Sequence, residues 1–281
     1  MKKKMRNIWN AIQWPLILVI FEFCILFLLL GYFEYHEIQT QLDTHPEWSM
    51  AEASKVVNQI LETKEGTNAI AQFLLDHLWI LVLLNACLLL PIVYHFYKKH
   101  QHRFPRHVSD RSKIHILFCS IALALCFNLI LTGISSLFGI SIETESQLRR
   151  PIFWMICSSG IIGPIIEEFV FRGIVYDRLQ ASCPKYRASF FTTLLFALYH
   201  GNLVQIIYAF AMGSYFIYCY DHYENITASI IAHISANIST LILLPYLLNL
   251  PFIWIVLSCV MLAFVGYYIF QKIRKGISIY S

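Results

Sequence analysis

The chain is a succession of apolar runs, each about as long as a membrane is thick. Residues 14–33, 73–97 and 114–138 form the first three, and others follow as far as residue 270. About 20 apolar residues in a helix cross the hydrocarbon core of a bilayer. Inside lipid, a helix satisfies all its own backbone hydrogen bonds, which favours helices for runs of this kind. The sequence therefore predicts an all-α, polytopic membrane bundle.

Eight such spans are predicted, packed as a single integral membrane domain over residues 1–281. Charged residues make up only 14% of the chain and hydrophobic residues 58%, whereas soluble domains carry about 25% charged residues. The remaining spans are 151–177, 226–248, 251–270 and the stretch 188–220, which His200-Gly201-Asn202 divides into two antiparallel spans.

Charges between the spans predict the orientation of the bundle. The segments at residues 2–6 and 98–113 are strongly basic, which is typical of cytoplasmic segments. Residues 34–72 carry seven acidic side chains against two lysines and are expected to form an outer polar loop, with Met50 to Leu61 as a short amphipathic helix. Both termini are then cytoplasmic, and the protein is expected in the cell membrane.

The net charge of +4 does not point to nucleic acid, because the basic residues are confined to these short segments. Eight cysteines are present, none of them in the outer loop, and their placement indicates neither a disulfide framework nor a Cys-x-x-Cys site. Composition therefore leaves the function to the polar residues within the spans.

The fourth span carries the most costly polar residues, Glu167, Glu168 and Arg172. An ionised side chain at membrane depth costs roughly 2.5–3.5 kcal/mol on insertion scales, so it indicates a functional site. Glu168 and Arg172 are separated by four positions and can pair on one helix face. Glu167 points elsewhere and is the carboxylate left for chemistry. The alternative is a purely structural ion network between helices.

Two further spans carry histidines. His200 follows Phe196 by four positions near the end of the fifth span, and His233 precedes Asn237 by four positions on the seventh. Each pair therefore shares one helix face. A histidine in a helix bundle is often a hydrogen-bonded packing residue, but two on separate spans beside a spare carboxylate favour a catalytic site.

These three motifs resemble those of the CPBP family, the CAAX prenyl protease and bacteriocin-processing intramembrane proteases, also called Abi proteins. The family pattern is Glu-Glu-x-x-x-Arg, then Phe-x-x-x-His, then His-x-x-x-Asn, and this chain has all three in that order on separate predicted helices. The resemblance covers about residues 151–248, which are expected to form the catalytic core helices.

The resemblance implies hydrolysis of a peptide bond within or beside the membrane. In the implied roles, Glu167 and His200 activate a water molecule, while His233 and Asn237 stabilise the oxyanion. The supporting residues would be Glu168, Arg172 and Phe196, which hold the catalytic side chains in position. No cofactor is expected, although zinc held by Glu167, His200 and His233 is an alternative because two histidines and a glutamate form a known catalytic zinc set.

The implied substrate is a membrane-associated peptide or protein, such as a pheromone or bacteriocin precursor, and the expected partners are that substrate and the lipid bilayer. Two other functions remain open from the residues alone. One is a non-catalytic scaffold or bacteriocin-immunity protein, in which the polar cluster serves packing. The other is a transporter that uses the carboxylates as a proton relay.

The predicted topology contains one conflict. The fourth span runs inward, which places Glu167 toward its cytoplasmic half, whereas His200 falls near the outer end of the fifth span. For the two side chains to meet, the fifth helix must be tilted or must begin deeper in the membrane than drawn.

Overall fold

The computed structural model describes residues 2–100, 106–137, 151–201 and 203–247, with scattered positions between 256 and 271. Within these ranges the chain is helical and has no strand. The helices are α1 (Lys2–Thr44), α2 (Met50–Leu61), α3 (Lys64–Asp76), α4 (Leu78–His100), α5 (Asp110–Leu137), α6 (Ile152–Gln180), α7 (Lys185–Tyr199), α8 (Leu203–Tyr223) and α9 (Ile226–Leu247).

Six of these helices, α1, α4, α5, α6, α8 and α9, are long and apolar enough to cross a membrane. The predicted helical membrane bundle is thus confirmed. The predicted fifth span corresponds to α7, a helix of only 15 residues. Most of the predicted eighth span, 251–270, lies outside the described residues, and the placement of both termini in the cytoplasm stays a prediction.

Helix α1 is much longer than the apolar run that predicts it. It has 43 residues and continues past residue 33 to Thr44, a length of about 65 Å at 1.5 Å per residue. The helix therefore extends beyond the predicted span, residues 14–33, at both ends. The loss of apolar character at Glu34 marks where lipid would end, but neither Gly nor Pro follows before Thr44 to end the helix.

The segment predicted as an outer polar loop contains two capped helices after the end of α1. A capping box formed by Ser49 and Glu52 begins α2, which occupies the predicted range Met50–Leu61. Thr63 caps α3 through its hydroxyl oxygen. The apolar face of α2 packs on α1, where Val57 contacts Ile38, so this region is an ordered helical unit.

Helix α6 departs from regular α geometry on both sides of the two glutamates. Its segments Ile156–Ile162 and Phe169–Tyr176 are π-helical, and Gly163–Glu168 between them is α-helical. Pro164 has no N–H and its ring would clash with the preceding turn of an α-helix. A wider π-helical turn before the proline relieves that clash, and such turns often lie at functional sites.

One side chain from another helix completes the hydrogen bonds around this proline. The Gly163 N–H donates to the Ser158 carbonyl, a π-type bond. In the same register the Ser159 carbonyl would face Pro164, which has no proton to donate. Asn237 on α9 donates its Nδ2 proton to that carbonyl instead, at 2.8 Å.

The core of the bundle lies along α6, where every residue from Phe169 to Tyr176 is buried. Close approach of α8 to this core depends on Gly213, since a Cβ there would lie 2.8 Å from the Phe196 ring. The same glycine presents its carbonyl oxygen to Arg172. The core therefore positions the polar residues of α6 against α7, α8 and α9.

Candidate active site

Glu168 is the centre of a buried polar cluster that joins three helices. Arg172 Nη1 donates to Glu168 Oε1 at 2.8 Å, as the four-residue spacing predicts. His233 Nδ1 lies 2.9 Å from the same oxygen, and Arg172 Nη2 donates to the Gly213 carbonyl at 3.1 Å. Both members of the ion pair are fully buried. Glu168 thus fixes the position of His233 as well as that of Arg172.

Aromatic rings enclose this cluster. The Arg172 guanidinium lies 4.5 Å from the centre of the Phe196 ring and 5.4 Å from that of Phe216. His233 stacks on Phe216 at 4.5 Å and meets Phe196 edge-on at 5.6 Å. Guanidinium and imidazole groups interact favourably with aromatic faces. Phe196, predicted as a supporting residue, is therefore in contact with the arginine and with both candidate histidines.

Glu167 points away from the buried pair, as its place in the sequence predicts. Its side chain is 17% exposed, and Oε2 lies 3.8 Å from His233 Nε2, beyond the usual hydrogen-bond distance. This buried oxygen has no hydrogen-bond partner among the described residues. Glu168 Oε2 also has no partner among these residues, but Glu168 is fully buried, so Glu167 is the carboxylate that a reactant can reach.

His200 immediately follows α7, on the other side of Phe196. Its Nδ1 lies 2.9 Å from the Phe196 carbonyl, and its ring is 4.9 Å from the Phe196 ring. No hydrogen bond or ion pair joins it to Glu167 within the described ranges. A helix of 15 residues spans only about 22 Å. The Phe196 ring contacts both histidine rings, so the end of α7 lies near His233, while the meeting of His200 with Glu167 stays a prediction.

Asn237 lies one helical turn beyond His233 on α9. One of its two Nδ2 protons bonds to the Ser159 carbonyl at 2.8 Å, and the amide group still has a second N–H to donate. Asn237 is thus anchored to α6 just before the proline. The anchor holds its amide beside the turn that leads to Glu167.

Glu22 on α1 is not among the residues predicted for the site. The Tyr199 hydroxyl donates to Glu22 Oε1 at 2.7 Å, and Tyr199 directly precedes His200. Glu22 is close enough to His200 and Glu167 for its charge to act on both. The signal was available in the sequence, since Glu22 is a carboxylate within the first apolar run.

The side chains considered as zinc ligands do not assemble into a metal site in this conformation. Throughout the described part of the chain, no group of three or more His, Cys, Asp or Glu side chains is arranged to hold a metal ion. Glu168 holds His233 through Nδ1 and the Phe196 carbonyl holds His200 through Nδ1, which leaves Nε2 of each ring for another partner.

Residues 149–239 match the family model described as type II CAAX prenyl endopeptidase Rce1-like. This segment of the chain is similar to that family. Every residue predicted for the site lies within the matched segment, and the resemblance of the motifs to the family is confirmed over it. Glu22 lies outside the segment, on a helix that the family match does not cover.

Two curated bacterial proteins are similar to this chain. One is YdiL of Bacillus subtilis, described as a candidate membrane peptidase, with 30% identity over 36% of this chain and 43% of the relative. The other is the membrane-embedded CAAX protease MroQ of Staphylococcus aureus, with 31% identity over 39% of this chain and 48% of the relative. The match thus spans less than half the length of each relative. No solved structure matches the chain.

Proposed function

We propose that the protein is an intramembrane endopeptidase that hydrolyses a peptide bond in a membrane-associated peptide or protein. The observation that carries the proposal is the difference between two adjacent carboxylates. Glu168 is fully buried and one of its oxygens is bonded to both Arg172 and His233, whereas Glu167 beside it is 17% exposed and its Oε2 lies 3.8 Å from His233 Nε2, without a hydrogen-bond partner among the described residues. The family segment and the names of the two relatives support the same reaction class.

In the proposed reaction, Glu167 accepts a proton from water as the water oxygen attacks the scissile carbonyl carbon. His200 Nδ1 bonds to the Phe196 carbonyl, which can only accept a hydrogen bond. In the neutral ring the proton is therefore assigned to Nδ1. Nε2 of His200 is then a second proton acceptor. The proton finally passes to the leaving amine when the carbon–nitrogen bond breaks, as in general acid–base catalysis.

The developing oxyanion needs hydrogen-bond donors. His233 is held by Glu168 through Nδ1, so it donates to the oxyanion from Nε2 in its doubly protonated form. Asn237 contributes the N–H that its bond to Ser159 leaves available. Each donor of this kind lowers the barrier by about 2.7–4 kcal/mol in studied cases. Glu168, Arg172 and Phe196 act by positioning these groups.

The test is Glu167→Gln, which keeps the size of the side chain and removes the base. The purified variant is reconstituted with membrane peptide extracts in isotopically labelled water, so that each hydrolysed bond carries the label in its new carboxyl group. We expect processing to fall at least about hundredfold with the unfolding midpoint unchanged. Glu37→Gln, at a partly exposed glutamate of α1, is the matched control. Full label incorporation in Glu167→Gln would refute the proposal.

We further propose that the reaction uses no metal, since no group of three or more His, Cys, Asp or Glu side chains in the described part of the chain is arranged to hold one. Activity should survive dialysis against strong chelators, with the metal content of the protein measured in parallel. A requirement for one equivalent of zinc would assign the water activation to the metal instead.

For the substrate, we propose a peptide precursor that is processed at the cell membrane, such as a pheromone or bacteriocin. Supporting this, Glu167 lies on α6 and both His233 and Asn237 lie on α9, two helices able to span a membrane, where a membrane-bound peptide would reach them. Comparing peptides in membranes that contain the native protein with those that contain Glu167→Gln would identify the precursor by its accumulation in the variant.

A further inference from the structure

An apolar cavity of about 470 Å³ lies beside the candidate active site, within the range typical of ligand pockets. Its walls come from α1, the end of α3, the start of α4 and the turn that follows α7. Aliphatic side chains dominate the lining, among them Val19, Leu26, Leu29, Leu74, Leu78 and Leu81. The first half of the chain, outside the family segment, thus supplies most of this cavity.

The cavity reaches the two residues that flank His200. Tyr199 and Gly201 both line it, and His200 lies between them in the chain. Gly201 has a φ of +70°, a left-handed conformation that suits glycine and turns the chain sharply between α7 and α8. An occupant of the cavity would therefore extend toward His200 and Glu167.

The side chains that line this cavity with polar atoms present hydrogen-bond acceptors. Glu22 contributes a carboxylate. His77 Nδ1 lies 2.8 Å from the Phe73 carbonyl, so Nδ1 carries the proton and Nε2 is the acceptor of the neutral ring. The donors on this wall are already used, because the Tyr199 hydroxyl donates to Glu22 and the Gly201 N–H donates to the Leu198 carbonyl.

An apolar cavity whose polar atoms accept hydrogen bonds is complementary to an apolar chain that ends in a donor. A carboxylate at membrane depth is costly unless it is paired, and Tyr199 supplies only one neutral donor to Glu22. An ammonium group would add the missing charge and up to three N–H donors. The stem of a lysine side chain would meanwhile lie along the aliphatic walls.

We propose that this cavity is a substrate subsite for a lysine side chain within an apolar peptide segment, and that Glu22 determines this specificity. The subsite deepens the proposed function, on which it rests for the identity of the substrate. A peptide is favoured over an amino lipid because the cavity continues to the residues on both sides of His200, where a peptide chain would pass on into the catalytic groups.

The test measures binding without cleavage, in full-length protein that carries Glu167→Gln in nanodiscs of phosphatidylcholine. The probes are two apolar peptides that are identical except for a central lysine or norleucine, each with a photoreactive leucine beside that position. Cross-linked residues are mapped by mass spectrometry. We expect at least about tenfold more cross-linking to the cavity residues by the lysine peptide than by the norleucine peptide. A difference of this size in binding is expected from one charge pair that solvent does not screen.

Adding Glu22→Gln should abolish the preference for lysine, because the amide still accepts the Tyr199 hydrogen bond and carries no charge. Glu37→Gln, on the same helix and outside the cavity lining, should keep the preference. Leu26→Trp fills the cavity without altering Glu22 and should reduce labelling by both peptides. This second variant keeps the test valid if Glu22→Gln folds poorly.

Equal labelling by the two peptides, or a lysine preference that survives Glu22→Gln, would overturn the subsite. So would loss of labelling on addition of phosphatidylethanolamine, since the amine bound would then belong to a lipid. Because the binding assay uses a variant without the base, its outcome is independent of turnover. Lysine selectivity without hydrolysis by the native protein would refute only the proposed function.

Discussion

Glu168 and Glu22 are both carboxylates within membrane spans, yet their surroundings are opposite. Glu168 is fully buried, with Arg172 and His233 within 3 Å of one of its oxygens. Glu22 accepts a hydrogen bond from the Tyr199 hydroxyl and faces a cavity of about 470 Å³. The first carboxylate holds three helices together, and the second has capacity for a ligand. A charged side chain within a span thus stabilises the fold where the protein pairs it, and can bind a ligand where that pairing is incomplete.

The largest effect on stability is expected at the buried ion pair of Glu168 and Arg172. Arg172→Met should lower the free energy of unfolding by about 3–5 kcal/mol, because Glu168 is left charged and buried. Unfolding by sodium dodecyl sulfate in mixed micelles would measure the loss. The double variant with Glu168→Gln should recover part of the stability. If the two losses simply add, the cluster is not the coupled unit that the comparison requires.

A smaller loss is expected where the helices around that cluster approach most closely. Gly213→Ala would place a methyl group 2.8 Å from the Phe196 ring, and overpacking of this kind costs about 1–3 kcal/mol. Gly31→Ala is the control, since no atom lies within 4 Å of the added methyl group there. Equal unfolding curves for Gly213→Ala and the native protein would show that the helix contact at Gly213 accommodates the added methyl group without loss of stability.

On the cavity side, a single hydrogen bond should contribute little. Tyr199→Phe removes the donor to Glu22 and should cost about 0.5–1.5 kcal/mol. A double-mutant cycle with Glu22→Leu isolates that bond, and the coupling energy should be similar in size. A coupling as large as that between Glu168 and Arg172 would remove the distinction between the two carboxylates.

The smallest effect concerns α2, which packs on the same helix that forms the cavity wall. The pKa of Glu52 is lowered by the Ser49 backbone N–H and then by the Ser49 hydroxyl, both of which bond its carboxylate. This stabilisation is present above the ordinary pKa of glutamate and is lost as the pH falls through the lower folded value, below about pH 4.

Hydrogen exchange measures this change in α2 as the pH is lowered. After correction for the intrinsic effect of pH on exchange, amides of α2 should lose protection in acid while those of α6 keep theirs. Ser49→Ala should raise α2 exchange roughly fivefold at neutral pH, as expected for one lost helix cap. Protection of α2 that is unaffected by both changes would show that the cap contributes nothing.

The sequence predicted the parts of this fold that depend on local composition. Apolar runs locate spans because lipid contact requires them, and the predicted range of α2 agrees with the structure. The end of α1 was not predictable from apolarity, since a helix continues wherever the backbone allows it. The π-helical turns of α6 depend on Pro164 and on Asn237 from a distant helix, so no window of sequence contains their cause.

The candidate site divides in the same way. The spacing of Glu168 and Arg172 predicts their pairing, because both lie on one helix. The contact of Phe196 with His200 follows from their four-residue spacing, whereas its contact with His233 results from the packing of separate helices and has no local signature. Glu22 is visible in the sequence, but its relation to the site depends on Tyr199, which only the fold brings to it.

The bond from Asn237 to the Ser159 carbonyl has a consequence for the order of assembly. While α6 stands alone in lipid, the carbonyl opposite Pro164 has no backbone proton to accept, and an unsatisfied polar group there is costly. Docking of α9 supplies that proton. The helix with the two glutamates therefore reaches its final hydrogen-bonded state only when the helix with His233 arrives. Completion of the backbone and completion of the candidate catalytic site become a single event in biogenesis.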